Sequence, residues 1–457
     1  MIIEIIDATF CKIHKDSLPN EKWKEIWTCL SYAQEFWKQG PFKKIRKEKI
    51  KSFLGGDGIF LTGFINKVIQ KAYDIQEPIT WQSALDTLEV QSPPQLKNTT
   101  LRPDQVDLIN KACEMQRGVL KAPTGIGKTI LGLGAMSCFP GANKLFLCHT
   151  KTLLRQTFEE MIKLGFDKKH ITLLGGDHKF HTLKKITIAL IQSFARLDPA
   201  VYANFFDMVI VDEAHIGMLP GSQYYKVLTA MTAPMRIGLT ATLPNGVLPR
   251  LTLEGLIGPI IGGMSISEGV SLGLLAKPKL KLVRVPDFPA LRDLRRYPEV
   301  YLAGIVNNDA RNKLIVETTA ELKNQGCTTL ILVTHIEHGH NLVNAFASGK
   351  QTVHFAWGAT EDEERYALQM ALSKKELSCV IASSIWSHGV NIPSLGAVIN
   401  AGGGMSEVTA LQRIGRGLRV TDEKKEVLLI DFMDLSHHML IKHLAYRLAL
   451  YSDEGWL

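Results

Sequence analysis

The sequence predicts an α/β fold with two parallel-sheet domains, preceded by a small α/β or α+β module. Two alternating series predict the sheets, and an opening segment that fits neither series predicts the module. In the first series, from about Leu101 to Ile260, apolar runs at Leu145 to Cys148, Ile186 to Ile191, Met208 to Val211 and Arg236 to Leu239 alternate with helix-length stretches. In the second, runs at Thr329 to Val333, Thr352 to Phe355, Val380 to Ser383, Ala397 to Asn400 and Val427 to Ile430 do the same. Near-continuous apolar strands alternating with helices make a doubly wound sheet buried on both faces, whose ligands sit at the carboxyl ends of the strands. At 457 residues and 46% hydrophobic, the chain is long enough for two or three such cores.

In chain order, the opening segment starts with a strand at Ile2 to Ile6 and continues into a helical stretch bearing Trp23, Trp27 and Trp37. Trp23 and Trp27 lie one helical turn apart and share a face, which reads as core. From Lys38 to Lys51 seven Lys/Arg stand against one Glu, with Phe42 interleaved. Such a run is either a grip on a polyanion or a solvated basic helix face. Pro93 and Pro94 end the segment, giving 1–96 for the module, 97–272 for the first sheet domain, 273–305 for a charged, Gly/Pro-punctuated connection, and 306–457 for the second domain with a helical tail.

Composition narrows the class. A formal charge of +8 permits a polyanionic partner without requiring one. The seven cysteines are scattered with no C-x-x-C, which favours reduced core thiols over disulfides or zinc, and His437 and His438 have no matching ligand cluster. Leu377 to Ser406 carries no Asp, Glu, Lys or Arg, but its glycines, His388 and Pro393 read as buried strands and loops and not a membrane span. Acids interrupt the apolar start M-I-I-E-I-I-D, so no signal peptide is expected and the protein is placed in the cytoplasm.

The chemistry concentrates in two motifs. Residues 121 to 129 read K-A-P-T-G-I-G-K-T. Backbone N–H groups from Thr124 through Gly125, Ile126 and Gly127 can cradle phosphates because glycine lets the main chain approach closely, Lys128 supplies a positive charge to the β- and γ-phosphates, and Thr129 can ligate Mg²⁺. The strict pattern has glycine where Ala122 stands. The run from Met208 ends in D-E-A-H, where Asp212 can hold hydrated Mg²⁺ and Glu213 can orient and deprotonate water. Together they predict an ATP site using Mg²⁺.

Further motifs in order make the resemblance specific. L-R-P-D-Q at Leu101 to Gln105, H-T-K-T-L-L-R-Q at His149 to Gln156, A-L-I-Q-S-F at Ala189 to Phe194 and T-A-T at Thr240 to Thr242 are joined by L-I-L-V-T-H at Leu330 to His335, I-A-S-S-I-W-S-H-G-V-N-I-P at Ile381 to Pro393 and Q-R-I-G-R-G-L-R at Gln412 to Arg419. The set resembles superfamily 2 helicases over roughly residues 100 to 435, and Ala122 is the form seen there. The resemblance implies two RecA-like domains. It also implies nucleotide contacts from Arg102, Gln105, Gly389, Asn391 and Gln412, with Asn391 standing where many relatives carry Asp. Arg416 and Arg419 become arginine fingers, and Thr240 and Thr242 couple nucleotide state to movement. Strand contacts fall to Thr150, Arg155, Gln192, Ser193, Thr334 and Ser383.

Within the superfamily, D-E-A-H with T-A-T and Q-x-x-G-R-G-x-R looks more like DNA-directed members such as the type III restriction and XPB-like group than like D-E-A-D-box RNA helicases. F-L-T-G-F-I-N-K-V at Phe60 to Val68 and the tail D-F-M-D-L-S-H-H resemble phage UvsW-like Holliday-junction branch-migration helicases. That resemblance implies an ATP-dependent helicase moving forked or four-way DNA, with Lys43, Lys44, Arg46 and Lys47 of the module gripping DNA, no membrane partner, and a plausibly monomeric state. An RNA helicase, a duplex-translocating restriction subunit and a non-catalytic nucleic-acid scaffold remain as alternatives.

Overall fold

The computed structural model describes all residues except 40–43, 84–85, 124, 177–181, 384–391, 393, 405–425 and 454–455. The chain divides into two compact units, Met1–Ala122 with Gly127–Gly263, and Met264–Leu457 with the short stretch 123–126.

The first unit opens with β1 (Ile2–Ile5) and β2 (Phe10–Ile13), which pair antiparallel. A helix, α1 (Asn20–Cys29), then leads to β3 (Ser31–Gln39) and β4 (Lys44–Ser52), a separate two-stranded antiparallel ribbon. Trp23 and Trp27 pack partly buried against the core, as their shared helical face predicts. Trp37, however, lies on β3 and the basic run forms β4, not a helix. The physical reason is residue type and pairing: Tyr32, Phe36, Trp37, Ile45 and Ile50 are strand-favouring, and the two stretches pair in register from Ser31 with Ser52 to Gln39 with Lys44. β5 (Ile59–Leu61), α2 (Ile65–Asp74) and β6 (Thr80–Trp81) complete the module, with sheet order β5-β2-β1-β6.

This module is docked on the following sheet through one continuous core. Gly63, in the turn before α2, is the closest approach: a Cβ there would stand 2.0 Å from the Glu254 carbonyl oxygen, so only glycine fits. Arg236 is 1% exposed and donates to the carbonyls of Ala233, Leu228, Leu256 and Met231 and to the Thr9 hydroxyl. Arg117, also buried, donates to Ala8 O. Each guanidinium offers several donors in a fixed fork, so it can satisfy many carbonyls where two elements meet.

The large sheet of this unit comprises β7 (Arg117–Lys121), β8 (Lys144–Cys148), β9 (Ile171–Leu174), β10 (Ile186–Leu190), β11 (Met208–Asp212), β12 (Met235–Thr240) and β13 (Ile260–Gly263). All pairings are parallel, in the order β13-β7-β12-β11-β8-β10-β9. β8, β10, β11 and β12 are buried at every residue, which is why each reads as a largely apolar run, Arg236 on β12 being the charged exception inside one.

The second unit carries β14 (Lys277–Arg284), β15 (Thr328–Leu332), β16 (His354–Ala356), β17 (Cys379–Ala382), β18 (Leu395–Asn400) and β19 (Glu426–Met433), again all parallel, in the order β14-β19-β18-β15-β17-β16. The segment read as a connection therefore contributes an edge strand: K-P-K-L-K-L-V-R pairs along its whole length with β19. No helix among the described residues is long and apolar enough to cross a membrane.

Candidate nucleotide site

Three adjacent strands of the first sheet, β7, β12 and β11, end at one level: Lys121 pairs with Thr240, and Leu239 with Asp212. The loops leaving them carry K-A-P-T-G-I-G-K-T, T-A-T and D-E-A-H, so strand register alone gathers three motifs that are distant in sequence. Ala122 N donates to Thr240 O at 2.8 Å, tying the start of the phosphate-loop sequence to the end of β12. Gly125 and Gly127 have φ of 104° and 96°, left-handed values that side chains resist. Lys128 begins a ten-residue helix (Lys128–Ser137), whose free N–H groups and dipole favour an anion at that end.

Lys128 and Glu213 are both buried, with Nζ 3.5 Å from Oε1. Asp212 Oδ1 accepts from the Glu213 amide at 2.9 Å. Burial first, and the neighbouring Glu213 second, push the Asp212 carboxyl up to about 7, opposed by Lys128. A buried carboxylate pair beside one ammonium is a site short of positive charge, the environment that a divalent cation with phosphate would complete. Thr129, half-buried on the first helical turn, and Asp212 are the oxygen ligands at hand for magnesium.

Gln105 is 2% exposed, accepts from Arg102 N at 3.2 Å, and lies against the loop: a Cβ on Gly127 would be 2.9 Å from its Nε2. Arg102 makes a two-point contact with Asp104, at 3.0 Å for each oxygen.

One residue that the sequence reading quoted but gave no role is His215, the last letter of D-E-A-H. Its Nδ1 is 3.5 Å from Glu213 Oε2 and 2.9 Å from Thr240 Oγ1, and Thr240 Oγ1 donates to Thr242 O at 2.6 Å. A polar chain thus runs from the water-activating candidate to T-A-T. Burial drives the His215 ring down to about 4, so at neutral pH it is uncharged, and Nδ1, which faces both Thr240 Oγ1 and the Glu213 carboxylate, can donate to the Thr240 hydroxyl.

The strand-contact candidates divide. Thr150 caps the helix Lys151–Lys163 by accepting from Leu153 N, and Arg155 on that helix is exposed, bonded to Glu159. Gln192 donates to His149 O at 3.1 Å, joining the ends of β8 and β10, with Ser193 half-buried beside it. Thr334 is exposed just past β15, whereas Ser383, just past β17, is 6% exposed with its amide bonded to Ala356 O. Lys43, Thr124, Gly389, Asn391, Gln412, Arg416 and Arg419 lie outside the described residues, and Lys44, Arg46 and Lys47 are placed by backbone alone, on β4.

Residues 98–245 match the family described as type III restriction enzyme, res subunit, and residues 310–421 match the helicase conserved C-terminal domain. The chain is an ATP-hydrolysing helicase of superfamily 2. It is 28% identical to the DNA 3'-5' translocase XPB2 of Sulfurisphaera tokodaii, over 73% of this chain and 81% of that protein. It is 22% identical to the ATP-dependent DNA helicase UvsW of Enterobacteria phage T4, over 77% of this chain and 74% of that one. Its fold is also that of an HsdR-subunit fragment of a type I restriction enzyme from Vibrio vulnificus, with a TM-score of 0.58 at 18% identity, covering 86% of this helicase and 73% of that chain.

Proposed function

We propose that this helicase is an ATP-driven motor on DNA that moves branched substrates, forks or four-way junctions, with the module 1–96 as its added grip. The observation that carries the motor is the buried Lys128, Asp212 and Glu213 constellation at the strand ends beside a helix N-terminus. Lys128 holds the β- and γ-phosphates, and Glu213 orients the attacking water and takes its proton. Thr129 and Asp212 would hold magnesium, which would supply positive charge against that developing on the phosphates. The glycine-bearing loop supplies backbone donors to the phosphates, Gln105 with Arg102 reads the base, and the chain Glu213, His215, Thr240 couples the γ-phosphate state to strand contact. The motif VI arginines, Arg416 above all, neutralise charge on the γ-phosphate during transfer.

DNA is favoured over RNA because the relatives above are named for DNA. A branched substrate is favoured by the basic strand β4, where Lys49 and Lys51 are exposed and whose sequence also carries Lys44, Arg46 and Lys47. Backbone contacts position without reading sequence, so preference for a junction has to come from surface outside the motor sheets. The test replaces Lys43, Lys44, Arg46 and Lys47 with alanine and compares ATP-driven migration of a four-way junction with unwinding of tailed DNA and RNA duplexes. Selective loss on the junction, with a shallower salt dependence of binding, is expected. Equal activity on junction and tailed duplex would return the ribbon to a solvated surface.

A further inference from the structure

We propose that Arg447 and Arg311 are positioning residues for ATP turnover, holding the base from which the motif VI sequence leaves the second sheet. The inference rests on Arg416 acting at the γ-phosphate, as read above.

β18 is followed by A-G-G-G, Ala401 to Gly404, and the motif VI sequence begins eight residues later at Gln412 (412 − 404), with Arg416 twelve residues past Gly404 (416 − 404). Three glycines in a row give this exit little conformational preference of its own, and Gly403 sits at φ 59°. Its carbonyls are instead held from outside. Arg311 Nη1, on the helix Asp309–Asn324, donates to Ala401 O at 2.8 Å; Tyr301 Oη donates to Gly402 O at 2.7 Å; Arg447 Nη1, on the terminal helix His438–Asp453, donates to Gly403 O at 2.8 Å and Gly404 O at 3.4 Å.

Both arginines are anchored on the strand to which the motif VI stretch returns. Arg447 Nε and Nη2 bind Asp431 on β19 at 2.7 and 3.1 Å, Tyr451 Oη adds a bond to the same carboxylate at 2.9 Å, and Arg311 Nε binds Asp434, just past β19, at 2.8 Å. Asp431 and Arg311 are fully buried, Arg447 is 2% exposed and Asp434 5%. The two flanks of residues 405–425 are thereby bolted together by charge-assisted, two-point bonds. Stability alone does not require this, since well-packed apolar residues of similar volume often serve a buried ion pair's place equally well. Apolar side chains could not, however, bind four successive loop carbonyls while linking them to the next strand. A shift of about 1 Å in a group acting on a transition state can cost on the order of 10²-fold in rate, so a fixed base has kinetic value.

The test is a double-mutant cycle in the full chain. Arg447→Lys keeps a cation for Asp431 but gives up the fork that also reaches Gly403, and Tyr301→Phe removes only the bond to Gly402, in case the lysine variant folds poorly. Each is expected to lower kcat of DNA-stimulated ATP hydrolysis, about tenfold for Arg447→Lys and severalfold for Tyr301→Phe, with KM for ATP unchanged. In a background lacking both motif VI fingers, Arg416→Ala with Arg419→Ala, neither should reduce kcat further, because the clamp acts through those arginines. The same fold-loss in both backgrounds, a change confined to KM, or unaltered kcat in both variants would overturn the proposal. Wild-type turnover in Arg416→Ala alone would instead remove the arginine reading on which it rests.

Discussion

Glu213 adopts a left-handed backbone, φ 48°, in a residue type that rarely takes it. Such a conformation costs on the order of 1 kcal/mol and persists only where surrounding bonds over-determine it. Here Ile216 N donates to Glu213 O and Asp212 accepts from Glu213 N, turning the carboxylate toward Lys128. The chain through His215 gives a prediction that separates chemistry from its use. His215→Ala leaves Lys128, Asp212 and Glu213 in place but cuts the link to Thr240, so ATP hydrolysis should fall by less than about tenfold while unwinding falls by on the order of 10². Paired ATPase and unwinding assays on one preparation read this ratio, and equal losses would count against the coupling role. Lys128→Ala, in contrast, removes a ground-state phosphate contact and should weaken nucleotide binding itself, measured by titration of a fluorescent ATP analogue.

At the scale of elements, the docking of the N-terminal module turns on Gly63. Any Cβ there meets backbone and not a flexible side-chain end, so Gly63→Ala should lose roughly 2–3 kcal/mol or more, seen as a lower midpoint in urea unfolding. A second prediction concerns acid. His338, on the helix Ile336–Ser348, is buried with Nε2 2.9 Å from Asn312 Oδ1, and burial drives it down to about 3. Its folded pKa is depressed, so the unfolded chain binds the extra proton first; the stability is present above about 6.5 and is lost as pH falls toward 3. One such proton gives a slope of at most about 1.4 kcal/mol per pH unit, and His338→Gln should flatten the profile of the second unit across that window, by urea melts at stepped pH.

Elements also explain what the sequence made legible. The four central apolar runs of the first series became β8, β10, β11 and β12 to within a residue or two, because strands buried on both faces leave few polar interruptions, Thr187 and Arg236 among them. β3, β4 and β14 were missed because strands carrying many polar or charged residues, such as K-I-R-K-E-K-I-K and K-P-K-L-K-L-V-R, look like charged helix or linker when read for apolar content alone. At the site, Lys128, Asp212 and Glu213 were legible from spacing, whereas the His215 link and the Arg447 clamp were not. Both depend on register between strands, which no local motif encodes.

At the scale of the molecule, the chain repeats one parallel-sheet plan twice and adds to the first a docked module that carries the lysine-rich β4. Lys128 and Glu213 belong to the first plan and Arg416 to the sequence of the second, and the proposed function has turnover draw on all three. Arg416→Ala should therefore cost on the order of 10³ in turnover with a much smaller change in ATP affinity, read by steady-state hydrolysis and nucleotide titration. The central claim, an ATP-hydrolysing motor on DNA, is tested most directly by ATP turnover of the wild-type chain and of Glu213→Gln, each with and without four-way DNA. The account predicts that DNA accelerates the wild type, and that Glu213→Gln binds ATP with near-normal affinity yet hydrolyses it at least about 10²-fold more slowly under both conditions. Turnover indifferent to DNA, together with near-normal hydrolysis by Glu213→Gln, would contradict it.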